Sequence, residues 1–396
     1  MSRAVAISGA GCLCAAGMTL DEAFAAMLRG ERNPQPPRAF RSDHAEPFPV
    51  FEILTPLPVP GSDAELLRTT RLALSATSEA LADAGLDGEQ LRGLKVGVCI
   101  GTTVGSAMNN EDFYREFRDG GDPSMAPIER YLRSNPAAAL ARHYQLDGPC
   151  QVVVNACSSG TDAIGLGAAW IRAGLCDIAL VGGADELCRT TYNGFASLMI
   201  ADTGPCKPFD ARRRGLNLGE GAGLLVLESS ASLAKREKTP RGFVLGYGSA
   251  TDAYHLTAPH PDGNGLRRAL AETLTMAGVA SEELAFINAH GTGTPDNDRV
   301  ENRVLADLFP TIPFVSTKCY TGHTLGAAGA IEAALTLVAL EQRMLPANAG
   351  FDEQDPELPT RPVSTVTPLS GRFALSESLA FGGNNAAVLL GLEVPR

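Results

Sequence analysis

The sequence predicts an α/β protein built from two successive halves, and three observations lead there. Short apolar runs rich in valine, isoleucine and leucine alternate with longer segments of helical period along the whole chain. The alternation restarts near Pro240, without a long or low-complexity linker. The 396 residues, 44% hydrophobic and 20% charged, are enough to bury a large duplicated core. We therefore expect residues 1–240 and 241–396 to form two related halves, although no residue-level repeat is visible. Helices between strands predict mainly parallel pairing.

In chain order, Ala4–Ile7 reads as a buried strand that ends in the glycine turn Ser8–Gly11. That turn lacks the full G-x-G-x-x-G, so it does not argue for a nucleotide. Leu20–Arg29 is an expected helix capped by Thr19, with Asp21 and Glu22 in its first turn. Residues 34–60 are proline-rich and read as a surface excursion, and Glu65–Ala84 as an amphipathic helix stopped by Gly85. Lys95–Ile100 is a strand, Asn109–Phe117 a polar helix and Pro136–Tyr144 an alanine-rich one. Three consecutive valines, Val152–Val154, predict a fully buried strand, and Cys176–Gly183 another that ends in glycines. Ser197–Arg214 reads as a loop, from which Gly219–Leu227 returns as a strand. The second half repeats the pattern. Its strands are Phe243–Tyr247, Phe286–Ala289, Phe314–Thr317 and the closing stretch Ser376–Leu390; its helices are Leu266–Ala277, Glu301–Phe309 and Gly326–Arg343.

Composition removes several function classes. A net charge of −12 argues against non-specific nucleic-acid binding. The basic runs Arg212–Arg214 and Lys235–Lys238 are candidate patches for an acidic partner. Nine cysteines occur with one C-x-C, Cys12 and Cys14, and without any C-x-x-C, so neither a zinc site nor a disulfide framework is expected. The first residues are too glycine-broken for a signal peptide, and no run is expected to span a bilayer. These features predict a cytoplasmic protein.

The chemistry centres on Asn155-Ala-Cys157-Ser-Ser-Gly160. A strand precedes Cys157, and a helix with Ala163, Ile164, Gly167, Ala168 and Ile171 on one face follows it. The free N–H groups of a helix start stabilise a thiolate, so Cys157 is expected to lose its proton readily. A lone cysteine is more often an inert buried thiol. Here two histidine motifs accompany it. Asn288-Ala-His290-Gly-Thr-Gly-Thr-Pro295 places His290 directly after a strand. Ser316-Thr-Lys318-Cys-Tyr-Thr-Gly-His323 places Lys318 at a strand end and His323 before a helix. Strand ends of α/β sheets are where ligands bind. Ala380-Phe-Gly-Gly-Asn-Asn385 adds a glycine-rich turn able to aim backbone donors at a carbonyl.

With these four motifs in this order, the chain resembles the β-ketoacyl-acyl carrier protein synthases of the thiolase-fold condensing-enzyme superfamily, essentially end to end. The resemblance implies a five-layer αβαβα fold with two duplicated halves, and two chains forming a dimer with an identical subunit or a chain-length-factor-like homologue. It implies an acyltransferase that holds an acyl group on Cys157 and condenses it with malonyl-acyl carrier protein, losing CO2. Substrates would arrive on the carrier's phosphopantetheine, with no other cofactor. His290 and His323 match the enolate-stabilising pair and Lys318 the lysine that orients one of them. The N–H groups of Cys157 and Phe381 match the oxyanion hole, with the Phe381 ring as gate. Thr292 and Thr294 match phosphopantetheine-binding positions, Asn110 and Phe381 acyl-pocket positions, and Glu332 a glutamate beside a structural cation. Glu332 reads equally well as a salt-bridge partner. The chain departs from the family pattern at Ala380, Asn384, Glu377 (usually Asn), Leu216 (commonly Phe) and Asn109-Asn110. These positions are expected around the pocket, and they suggest a specialised branch making polyketides or polyenes. Two other readings are a non-catalytic chain-length-factor-like subunit, and a thiolase using Cys319 as its base.

Overall fold

The computed structural model describes residues 4–57 and 66–395. Glu65, the expected start of the second helix, lies outside them, as do residues 58–60 of the proline-rich excursion.

Ten strands form the principal sheet. The first half supplies β1 (Val5–Cys14), β2 (Val96–Gly101), β3 (Cys150–Val153), β4 (Ile178–Asp185) and β5 (Gly221–Glu228). The second supplies β6 (Gly242–Thr251), β7 (Leu284–Asn288), β8 (Phe314–Val315), β11 (Phe373–Ala380) and β12 (Asn384–Gly391); β9 (Met344–Leu345) and β10 (Thr367–Pro368) pair separately. The order is β3-β2-β4-β5-β1-β6-β12-β11-β7-β8. Read outward from its centre, each half runs first, fifth, fourth, second, third strand. The pairing senses repeat as well: β1–β5 and β4–β5 are antiparallel, β2–β4 and β2–β3 parallel, and β6–β12, β11–β12, β7–β11 and β7–β8 follow suit. The duplication invisible in the residues is thus explicit in the topology. Pairing is mixed rather than mainly parallel, because the last strand of each half inserts antiparallel beside the first.

Within the ten-stranded sheet, among the described residues, the halves join where Val5–Ile7 of β1 pairs with Gly242–Val244. The sheet folds back at this seam and encloses two helices, Ser159–Arg172 and Ala328–Gln342, which touch strands of both halves. Outside lie Arg68–Ala84 and Pro136–His143 on one side, Asn264–Ala277 and Pro295–Leu308 on the other. Five layers result. The middle helix Ala328–Gln342 is buried along Ala328–Leu340 on every side, as its uniform apolarity requires. The 18-residue stretch Leu325–Gln342 is apolar and long enough to cross a bilayer, contrary to the sequence expectation, yet it is 89% buried as this core helix.

Two glycine sets prove structural. β1 continues through Ser8–Gly11, with a bulge between Ile7 and Gly9, instead of turning there. A Cβ at Gly9 or Gly11 would lie 2.2 Å from a carbonyl of helix Arg68–Ala84, so these glycines let helix and strand touch. Gly160 and Gly329 do the same between the central helices, where a Cβ would meet Ala330 N at 2.8 Å and Thr161 Oγ1 at 2.0 Å respectively. Thr19 caps Leu20–Leu28 through the Glu22 N–H, and Gly85 ends Arg68–Ala84 in the left-handed conformation.

Candidate active site

The nucleophile sits on a strained elbow. β3 is an edge strand: Cys150 and Gln151 are exposed, and Val154 just beyond it is 67% exposed. The triple valine is therefore not a core strand. Ala156 takes φ 49°, unusual for a residue with a Cβ. Ser159 Oγ donates to Ala156 O at 2.6 Å and accepts from Asn155 N at 2.8 Å. Asp162 braces the turn, accepting from Asn155 Nδ2, Ser158 Oγ and Tyr247 Oη. Helix Ser159–Arg172 begins immediately afterwards, so Cys157 stands at a helix start and is 5% exposed.

The two histidines face the thiol. His323 Nε2 lies 3.0 Å from Cys157 Sγ, and the rings of His290 and His323 stand 5.3 Å apart, nearly perpendicular. What each Nδ1 touches decides where the protons are. His323 Nδ1 accepts the Leu325 N–H at 3.2 Å; His290 Nδ1 accepts from the Lys318 ammonium at 3.0 Å. Both rings must therefore carry their proton on Nε2. Burial and the Lys318 charge hold both well below the usual histidine range, so both are neutral donors at physiological pH. The same Cys157, His290 and His323 bring ligand atoms within 4.8 Å of one another, a spacing that suits a metal. A metal needs the Nε2 lone pairs, and the wiring of the Nδ1 atoms gives those nitrogens protons instead. The constellation is built to stabilise negative charge.

The expectation of an easily ionised thiol is corrected. Burial pushes Cys157 up to about 11, outweighing Lys318 and the N–H groups of Phe381 and Cys157, which pull it down. In the free protein burial therefore keeps the sulfur a thiol near neutral pH even with these donors beside it. The two N–H groups assigned to the oxyanion hole are those that reach this sulfur.

Lys318 lies between His290 and Glu332, with which it forms a buried ion pair. Glu301 accepts the N–H groups of His290 and Gly291 at 2.5 and 2.8 Å, fixing the loop after β7. Glu377 is not at the pocket: it is fully buried against Glu301, which with burial holds its carboxyl well above the usual range. Among the described residues, Glu332 Oε2, both Glu377 oxygens and Ser376 Oγ have no hydrogen-bond partner. Such oxygens are the kind a hard cation takes, but among the described residues no acidic group with metal spacing includes Glu332, and its observed partner is the Lys318 ammonium.

A cavity of about 330 Å³ opens onto the site, lined by Cys157, His290, His323, Phe381, Thr292 and Thr294 among others. The two threonine hydroxyls are 2.8 Å apart, and Thr292 Oγ1 also accepts the Thr294 N–H, so they both face the cavity and stabilise their turn. Phe381 stacks on Phe195 with centroids 5.5 Å apart and planes 12° apart, and Phe195 also meets His323 edge-on. Phe195, Leu198 and Ile200 line the cavity without having been singled out in the sequence. No motif marks them, because helix Arg189–Ser197 reaches the site only through tertiary packing. Of the departures, Leu216 and Ala380 line the cavity. Asn110 does not: its amide oxygen accepts from Asn109 Nδ2 at 2.8 Å, and Asn109 in turn holds Pro127 O and Arg130.

A thiol on an elbow, two proton-bearing Nε2 faces and two backbone donors aimed at the sulfur define a condensing acyltransferase of the Cys-His-His class. The chain belongs to the β-ketoacyl synthase family: residues 61–232 match its N-terminal domain and residues 241–352 its C-terminal domain. It is 32% identical to 3-oxoacyl-[acyl-carrier-protein] synthase 2 of Synechocystis sp. over 98% of this chain and 97% of that one. The protein of that name from Rhizobium meliloti is 35% identical over 80% and 79%. Among solved structures, the ishigamide ketosynthase/chain length factor superposes with a TM-score of 0.92 at 31% identity, covering 99% of both chains. The ketosynthase ApeO in complex with its chain length factor ApeC, from Xenorhabdus doucetiae, gives 0.88 at 31% identity over 98% of both.

Proposed function

We propose that this protein is an elongating ketosynthase that works on carrier-bound substrates. Cys157 exchanges its thiol proton for an acyl group, releasing the first carrier's thiol. The malonyl thioester then loses CO2, its electron pair forms the enolate, and His290 and His323 donate to the enolate oxygen. The enolate carbon attacks the Cys157 thioester. A carbon–carbon bond forms, the carbon–sulfur bond breaks, and the sulfur recovers a proton from solvent. The observation that carries this reading is the pair of neutral Nε2–H donors around one nucleophilic sulfur. No bound cofactor takes part in these steps.

The intact Cys157, His290 and His323 speak against a non-catalytic subunit. Cys319 does not suit a thiolase base: it is fully buried, donates to Ser316 O at 3.0 Å, and burial pushes its thiol far up. We assign the chain to fatty-acid or type II polyketide or polyene synthesis in the cytoplasm. The curated relatives are 3-oxoacyl-[acyl-carrier-protein] synthases and the solved ones include ketosynthases with chain length factors, which supports both branches. The exposed β3 edge, with Val154, and the exposed Tyr114, Phe117 and Leu132 support pairing with a second ketosynthase-fold chain, identical or homologous. Acyl- and malonyl-carriers from a panel of primers should give CO2 and a 3-oxoacyl-carrier two carbons longer, read by mass spectrometry. Acyl transfer without CO2 release would point to a thiolase. No acyl group on Cys157 would point to a non-catalytic subunit.

Carrier proteins are acidic, so an enzyme of charge −12 needs local cations to receive one. The arginine run resolves unevenly. Arg213 is buried on Asp298 and Asp355, and Arg212 is surrounded by Asp210, Asp352 and Glu353. The Arg214 side chain is 71% exposed and pairs with Asp202 at 3.3 Å. Of the second run, Arg236 is tied to Glu228 and Lys238 to Asp83 O. Arg214 is thus the docking candidate of the arginine run, and the exposed Lys235 the one that remains of the second. Arg214→Glu should raise KM for the carrier substrate several-fold, more at low salt, and leave turnover of a small pantetheine thioester unchanged. Equal loss on both substrates would remove Arg214 from docking.

A further inference from the structure

The sequence offered no reason to notice Asp185, the last residue of β4, which is fully buried. Its carboxylate accepts four hydrogen bonds. Oδ1 takes the Thr102 hydroxyl at 2.6 Å and the Val104 N–H at 3.3 Å. Oδ2 takes the Thr103 N–H and the Gly326 N–H, each at 2.7 Å. One carboxylate therefore binds a loop of the first half to the loop that follows His323 in the second.

Gly326 follows Leu325, the residue whose N–H sits on His323 Nδ1. Leu325 takes φ 53°, a left-handed conformation that a branched side chain resists. It is held there by a hydrogen bond on each side: its own N–H on the imidazole, and that of Gly326 on Asp185. Releasing the second bond lets Leu325 relax to a right-handed conformation and swing its N–H away from the ring. His323 then loses the contact that keeps its proton on Nε2.

We propose that Asp185 is a positioning residue that fixes the His323 tautomer, and so keeps Nε2 a hydrogen-bond donor towards the sulfur and the enolate. Asp185 touches neither. It acts through Gly326 and Leu325, as the outer hydrogen-bond partner of a metal-bound histidine fixes that ring's tautomer. The idea rests on the enolate-stabilising role proposed for His323, but its primary readout does not.

The test is 15N NMR of histidine-labelled protein, with the His323 signal assigned by its loss in His323→Asn. Wild type should show His323 protonated on Nε2 at pH 7.5. Asp185→Asn keeps the size but offers an amide N–H₂ where one of the carboxylate oxygens accepted N–H groups. In it the His323 Nδ1 signal should shift towards the protonated type, and malonyl-carrier decarboxylation should fall about tenfold or more with little change in KM. His323 protonated on Nδ1 in wild type would overturn the proposal outright, even if Asp185→Asn does not fold. So would a folded Asp185→Asn, judged by its thermal melt, with an unchanged tautomer. A changed tautomer with normal decarboxylation would overturn instead the role given to His323.

Discussion

Cys157→Ala should abolish condensation, by on the order of 10⁶ in kcat, because no acyl-enzyme can form. Its decarboxylation of malonyl carrier should survive, since both Nε2 donors remain in place. Product formation by the alanine variant would remove Cys157 from the mechanism. The thiol's titration gives a second, independent signature. With its pKa pushed up to about 11, the thiolate fraction rises across the whole range from pH 7 to 10. Alkylation of Cys157 by iodoacetamide should climb throughout that range, without the plateau of an acidic thiol. At pH 7 the exposed Cys150 should compete with it. A plateau below pH 8 would show that the N–H donors and Lys318 outweigh burial after all.

His290→Ala and His323→Ala should each slow malonyl decarboxylation by about 10²–10³, the usual cost of one well-aimed donor to a developing oxyanion. Acylation of Cys157 should suffer less, because the acyl carbonyl is held by the Cys157 and Phe381 N–H groups. The two variants need not match. His323 also donates to the sulfur, so His323→Ala should slow acylation more than His290→Ala does. Normal decarboxylation by either variant would show that its imidazole does not hold the enolate.

Much of this site was legible in the residues. Cys157, His290, Lys318 and His323 lie in motifs long enough to identify the family, each at the end of a strand or the start of a helix. The β/α alternation showed two halves. The thiol's ionisation was misjudged, because a helix start can be read locally whereas burial comes from residues brought from the other half. Asn110 and Glu377 were placed at the pocket on resemblance, and the packing leaves Asn110 out of the cavity lining and buries Glu377 against Glu301. Phe195 and Asp185 carried no signal, since their roles depend on partners at Phe381 and Gly326 far along the chain.

The sequence by itself determined the chemistry: which side chains react, and the strand-to-helix turns that present them, because these depend on local spacing and residue type. The tertiary structure alone decided the protonation states and the shape of the cavity. Those depend on what surrounds each group, on Leu325 facing one imidazole and Lys318 the other, and no local pattern records such neighbours.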